Sequence, residues 1–327
     1  MKKEVLYTIP SLYRDDFRIQ GYRFGSGQKA LCVVGSLRGN EYQQIYTCSK
    51  LVKQLRQLEE SGNLCEGKEI LVIPSLNPGS MNIGKRFWPT DNTDINRMFP
   101  GYALGETTQR IAAGVFRIIS EYQNGIQFAS FYMPGKFCPH VRIMKTGYEN
   151  VEKARQFGLP YIVLKVPRPY DTTTLNYNWQ IWETDAFSLY GTTTERIDEE
   201  SAQELVEAIL RFLRANGIVK QEGNATMQGQ RGKQDAEEND VRQNNVPDSH
   251  VLADRELVSV RPRYSGIFRG KIQVGERVKA GQLLAEILDA CEGECLETLR
   301  APVDGVVFFE HDNPMVYANT AAIKLLP

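Results

Sequence analysis

Between Lys29 and Ile218, short apolar runs alternate with amphipathic segments, and this alternation constrains the fold more than any other feature of the chain. The run "ALCVV" precedes a helical pattern through "QIYTCSKLVKQLRQLEE", and "EILVIP" precedes a long loop followed by "ETTQRIAAGVFRIISEY". Further on, "YIVLKV" and "AFSLYG" precede "SAQELVEAILRFLRANG". The pattern predicts an α/β domain over residues 29–220, a largely parallel or mixed sheet between helices. Ligands in such folds sit beyond the carboxyl ends of the strands, so chemistry is to be sought in the turns after "CVVGS", "VIPSLNP" and "FSLYG".

The flanking regions read differently. Residues 1–28 form an N-terminal segment ahead of the first apolar run. Residues 221–250 read as a linker, because "QEGNATMQGQRGKQDAEENDVRQNN" has almost no large apolar side chains with which to offset the entropy of ordering. Residues 251–327 carry short strand-like runs such as "SGIFRGKIQVGERVKAGQLLAEILD" and "APVDGVVFFE", separated by Gly, Pro and Asp turns, which predicts a small all-β module.

Charge excludes one class of partner. With 39 basic and 40 acidic residues the formal charge is -1, so no broad electropositive field for nucleic acid is implied. The N-terminus "MKKEVLYTIPSLYRDDF" is broken by Glu4, Pro10 and Arg14 before an apolar core can form, and no later run reaches the length of a membrane span; the expectation is a cytoplasmic protein with no membrane contact. Cys32, Cys48, Cys65, Cys138, Cys291 and Cys295 make no CxxC pair, and reduced thiols are expected, with "CEGEC" read as a surface turn.

The block "IPSLNPGSMNIGKRFWPTDNTDINRMFPG" is the most informative. Its Asn77-Pro78, Arg86 and "DINRMFPG" resemble the signature of the succinylglutamate desuccinylase/aspartoacylase family, relatives of the zinc carboxypeptidases. The resemblance extends through "ETTQRIA", "CPHVR" and "PRPYDTTTLN" to the C-terminal module, which is similar to the biotinyl/lipoyl-like barrel of some members. It implies one zinc held by a His and a Glu of an HxxE turn and by a second His from a later strand, with another Glu as general base. Three protein ligands leave a fourth position for water, whose proton the carboxylate removes.

In this chain the matching positions depart from that set. "LRGNE" puts Arg38 at the first ligand position and Glu41 at the second, and a guanidinium has no lone pair for a metal. The later strand offers Phe131, or Tyr132 one register along, and the base position falls on Tyr190, or on Leu189 if counted back from Gly191. The chain has three histidines, His140, His250 and His311, and only His140 precedes the linker, so a two-histidine zinc site cannot be assembled within residues 29–220. A set of Glu41, Cys138 and His140 is a less favoured substitute.

What the resemblance leaves is polar recognition. It implies that Asn96 and Arg97 grip a substrate carboxylate, with Arg86 joining them. The residues also admit a plainer reading: Arg38 pairs with Glu41 at a helix start, where Glu41 complements the dipole, Asn96 and Arg97 fix a loop, Tyr190 is a half-buried strand residue, Glu195 is a solvated loop carboxylate and His140 is structural. The turn "DACEGECLE" has no lysine to carry biotin or lipoate. Two functions follow as expectations. The favoured one is a zinc-free, non-hydrolytic relative that binds an acyl-amino-acid or peptide carboxylate with no cofactor, as a homo-oligomer or beside an active homologous subunit. The other is an active deacylase or carboxypeptidase-type amidohydrolase, with zinc in an unorthodox ligand set or with a metal-free mechanism that uses Arg38 and Tyr190.

Overall fold

A computed structural model describes residues 1–11, 15–131, 134–221 and 248–327; the linker expectation for 222–247 and the alternative ligand Tyr132 lie outside the described residues. The larger unit contains strands β1 (Lys2–Ile9), β2 (Phe17–Gly25), β3 (Gln28–Ser36), β4 (Lys68–Ser75), β5 (Asn124–Phe128), β6 (Gly135–Phe137), β7 (His140–Met144), β8 (Tyr161–Lys165), β9 (Asp185–Tyr190) and β10 (His250–Ala253). Between them lie helices α1 (Tyr42–Glu60), α2 (Pro78–Met81), α3 (Thr107–Ile119), α4 (Val151–Arg155), α5 (Leu175–Ile181) and α6 (Glu199–Ala215). All the strands except β6 form one nine-stranded mixed sheet in the order β1-β2-β4-β3-β5-β9-β7-β8-β10.

The predicted α/β architecture is present, and two segments set apart in the sequence join it. Residues 1–28 supply β1 and β2, antiparallel edge strands that pair through β2 onto β4. At the opposite edge, β10 pairs in parallel with β8, so the chain completes the large sheet after residue 248 before entering the module. Side-chain alternation sorts the two faces. Val33, Val72, Ile126, Val141, Ile162 and Phe187 face α1 and α6, whose own buried stripes include Leu51 and Leu55, and Leu205, Ile209 and Phe212. Asp198 starts α6 by accepting from the Ser201 backbone N–H, with Glu199 and Glu200 in the first turn. The other face carries Cys32, Val34, Ile73 and Ala186 against α3 and α5. There Gly125 is required by packing, since a Cβ on it would sit 2.8 Å from the indole of Trp179.

The C-terminal module comprises β11 (Val258–Val260), β12 (Gly266–Gly270), β13 (Arg277–Val278), β14 (Leu283–Leu288), β15 (Cys295–Arg300), β16 (Gly305–His311), β17 (Met315–Val316) and β18 (Ile323–Leu326). Its two short sheets, β11-β18-β16-β13 and β15-β14-β12-β17, enclose a barrel-like core of Val278, Leu284, Ile287, Leu299, Val307, Ile323 and Leu325. The module covers the part of the sheet that α3 and α5 leave open. Tyr161, Val163 and Leu252 pack against Phe308 and Leu326, and β6 pairs antiparallel with β16 so that backbone hydrogen bonds cross the junction. Among the described residues, no helix is long and apolar enough to cross a membrane.

Glu310 lies in this junction, opposite Lys136 in the β16·β6 ladder and 7 % exposed. Burial pushes its carboxyl up to about 7 from an ordinary 4.5, against the pull of Lys136 and with Asp312 and Glu276 adding to the rise. The folded state therefore keeps the proton that the unfolded chain releases first, and its contribution, complete below pH 4.5, is lost as pH rises toward 7. Glu310→Gln is expected to be more stable than wild type by about 1–2 kcal/mol at pH 8 and equal to it near pH 4, read by urea denaturation at both pH values.

Candidate functional site

The turn after β3 is held by its own backbone and by the loop that follows α2. Ser36 donates its hydroxyl to the Arg38 carbonyl, and the Gly39 N–H donates to the Arg86 carbonyl at 3.1 Å. A Cβ at Gly39 would fall 2.4 Å from the Lys85 carbonyl oxygen and from Ser80, so only glycine lets that loop approach. Glu41 occupies the N-cap of α1, yet its side chain does not cap the helix. Its carboxylate turns back instead, where Oε2 accepts from the Leu37 and Arg38 N–H groups at 3.1 and 3.0 Å.

Glu41 Oε1 is also occupied, by Arg38 Nη1 at 3.1 Å and by the Ser130 hydroxyl. Arg38 Nε and Nη2 both reach Asp94 Oδ2, at 3.2 and 2.9 Å, and Nη1 reaches Ser130 Oγ at 3.0 Å. Asp94 Oδ1 in turn accepts from the Asn96 N–H. Burial works against the charge on Arg38, but Glu41 and Asp94 outweigh it and hold the guanidinium above its ordinary range. The cluster is thus a fixed cation between two carboxylates. Among the described residues, no group of three or more His, Cys, Asp or Glu comes together in a way that could hold a metal ion.

The histidines serve elsewhere. His140 is fully buried, stacks on Tyr190 with ring centroids 4.4 Å apart, and bonds through Nδ1 to the Cys138 carbonyl at 2.8 Å. A carbonyl only accepts, so Nδ1 carries the proton; burial first, and then Arg142, push the ring well below its usual pKa. Cys138 bonds to Val307 in the module junction, His250 sits at the exposed edge of β10, and His311 bonds to the Met315 carbonyl inside the module. Glu41, Cys138 and His140 are not brought together as a metal-binding group.

Beside the Arg38 cluster, a cavity of about 530 Å³ opens between the α2–α3 loops, the sheet and the module. Arg38, Arg86, Asn96, Arg97, Phe131 and Tyr190 all line it. Of Tyr190 and Leu189, Leu189 is in the core on the α1 and α6 side, while Tyr190 faces the cavity and accepts from Arg142 Nη1 at 2.8 Å. Phe131 does not stand at the second-histidine position beside Arg38 and Glu41. β5 ends at Phe128, and Ser130 is the residue whose side chain turns to that pair. The Phe131 ring packs 5.1 Å from Phe309, and its carbonyl accepts from Arg86 at 3.1 Å.

Asn96 and Arg97 already have structural partners. Asn96 Oδ1 accepts from the Leu175 N–H at 3.2 Å, and Arg97 Nη1 donates to the Tyr170 carbonyl at 2.5 Å, with Asp171 at 3.5 Å. Arg97 remains 37 % exposed at the side chain, which leaves part of its fork open to the cavity. Both amide atoms of Asn176 and Oε1 of Gln127, each in a nearly fully buried residue, line the cavity without a partner among the described residues. Glu195 accepts from Asn40 at 2.7 Å at a smaller neighbouring cavity, and burial raises its pKa.

Sequence reasoning missed Asp94, Ser130, Asn176 and Gln127. Asp94 stands in the same "DINR" run as Asn96 and Arg97, and Ser130 is one residue from the position chosen. Removing the guanidinium would leave Glu41 buried, and Asp94 half-buried, without a counter-charge. Arg38→Met is therefore expected to lower stability by about 3–5 kcal/mol at pH 7, measured by chemical denaturation, and a loss under 1 kcal/mol would show the carboxylates are not held by this pair.

Known proteins give the geometry its relatives. The succinylglutamate desuccinylase/aspartoacylase catalytic domain matches residues 27–215. The N-alpha-acetyl-L-2,4-diaminobutyric acid deacetylase of Halomonas elongata is 23% identical over 307 residues, covering 86% of this chain and 77% of the relative. A succinylglutamate desuccinylase structure from Silicibacter sp. TM1040 superposes with a TM-score of 0.76 at 17% identity, over 99% of this chain and 95% of the other. The product-bound ectoine utilization protein EutE (DoeB) from Ruegeria pomeroyi also gives 0.76, at 18% identity over 99% and 94%. Together with the turn after β3 and the "DINRMFPG" loop, the domain match places this chain in the succinylglutamate desuccinylase/aspartoacylase family.

Proposed function

We propose that this chain binds an N-acylated amino acid or peptide carboxylate in the cavity beside Arg38, without zinc and without hydrolysing it. The observation that carries this reading is the occupancy of Glu41. Its two oxygens accept from two backbone N–H groups, one guanidinium and one hydroxyl, so the carboxylate has no lone pair left for a metal. Zinc sites are built from Cys, His and carboxylate donors, and here the first such position is a guanidinium. The residues present do not fit the ion.

The general base is absent from the same place. Tyr190 offers a phenol bonded to Arg142 rather than a carboxylate. Recognition groups remain. The open part of the Arg97 fork suits a carboxylate, Arg86 adds a second, half-buried guanidinium, and the unpartnered Asn176 amide offers donor and acceptor atoms to an acyl-amide group. The relatives named for deacetylation and desuccinylation lend the ligand class by analogy. A cytoplasmic location and a role as regulatory or partner subunit to an active homologue belong to the same proposal.

The test is a panel of N-acetylated amino acids incubated with purified protein and added zinc, followed by mass spectrometry, with binding measured by calorimetry. Binding without release of acetate is expected, and Arg97→Ala should weaken it by about 1.5–3 kcal/mol. Catalytic release that Glu41→Gln abolishes would refute the reading.

A further inference from the structure

Arg142 and Lys165 stand on the neighbouring parallel strands β7 and β8. Arg142 is in register with Val163, so Lys165, two residues further along, lies on the same side of the sheet, and both line the cavity. The module supplies two more cations to that cavity. Ser259 of β11 is in register with Lys324 of β18, and Arg261 follows Ser259 by two residues; all three are lining residues.

These cations are poorly matched by acids. The nearest carboxylate to Lys324 is Asp254 at 3.8 Å, and its ammonium lies 5.1 Å from the centroid of the Phe131 ring. Arg261 donates to the Asn319 carbonyl, and Arg142 donates to the Tyr190 hydroxyl while its buried Nε has no partner. Lys165 has a closer carboxylate, Asp171 at 2.9 Å, but Asp171 also faces Arg97. Burial pushes the Lys324 amine below its usual range, and Arg142, Lys165 and Arg261 push it further against the pull of Asp254. Across the whole cavity, nine lining residues are Arg or Lys and three are Asp, a net excess of six positive charges. Like charges crowded in a half-buried space repel one another, and an anion there relieves the repulsion.

We propose that Arg142, Lys165, Arg261 and Lys324 form a binding site for a dianionic head group, either a phosphate monoester or two carboxylates held close together. Forked guanidiniums and point-charge ammoniums from both units converge on it, so the bound anion clamps the module to the α/β body. The inference rests on the proposed reading only in treating the cavity as a ligand site, and it asks nothing of zinc or of hydrolysis.

The experiment titrates the full chain at constant ionic strength with inorganic phosphate and, separately, with succinate, by calorimetry. At least one of the two should bind, phosphate alone marking a phosphoryl head and succinate alone a carboxylate pair. Lys324→Met and Arg261→Gln should each weaken that binding about tenfold or more, whereas Lys279→Met, an exposed module lysine outside the cavity, should leave it unchanged. Because Lys324→Met removes a repelled cation, its ligand-free form should melt no lower than wild type, which separates a lost site from a lost fold. Neither anion binding at about 10 mM, or both cavity variants binding like wild type, would overturn the proposal. Hydrolysis of an N-acetylated amino acid would instead count against the proposed function and leave this titration standing.

Discussion

The site is organised around one buried charge. Arg38 stands where the turn after β3 points into the molecule, and a guanidinium at that depth is tolerable only if acids meet it. Glu41 from the same turn and Asp94 from the loop before α3 do so, and Ser130 at the end of β5 bridges Arg38 to Glu41. Three separate stretches of chain are thereby tied to one side chain. The close approach at Gly39 and the bond from its N–H to the Arg86 carbonyl follow from the same convergence.

Closing that cluster moves the available chemistry along the cavity. Within it, the charges of Arg38, Glu41 and Asp94 are already committed to one another, so they offer little to a ligand. The less committed groups lie further out: Arg86, the open side of Arg97, the Asn176 amide, and the cations contributed by β7 and the module. The β module is part of the cavity wall. Its attachment through β6, Phe308 and Leu326 brings Lys324 and Arg261 into the cavity lined by Arg142 and Lys165 of the sheet.

The architecture was legible in the sequence because buried parallel strands and amphipathic helices leave distinct periodicities, and β3, β4, α1 and α6 all follow them. The sheet edges were less so. β1 and β2 are half-exposed and mixed in polarity, so residues 1–28 read only as an N-terminal segment, and β10 is too short to separate from the linker before it. At the site, the Arg38–Glu41 pair was visible because three residues of spacing in a turn bring them together. Asp94 and Ser130 were not, since their contact with Arg38 depends on how distant loops fold back. Phe131 comes from the resemblance and lies past the end of β5 at Phe128, where strand alternation no longer says which way a side chain points; Ser130 is the one that turns to Arg38 and Glu41. Where the strand persists, alternation puts Leu189 in the core and Tyr190 on the cavity side.

The central claim is that a guanidinium, with its two carboxylates, takes the place a metal would need. The most direct measurement is the zinc content of purified, untagged protein after equilibration with micromolar zinc and desalting, read by elemental analysis alongside Glu41→Gln. The account predicts far less than one zinc per chain and no difference between the two proteins. One tightly held zinc per chain, lost when Glu41 is changed, would contradict it.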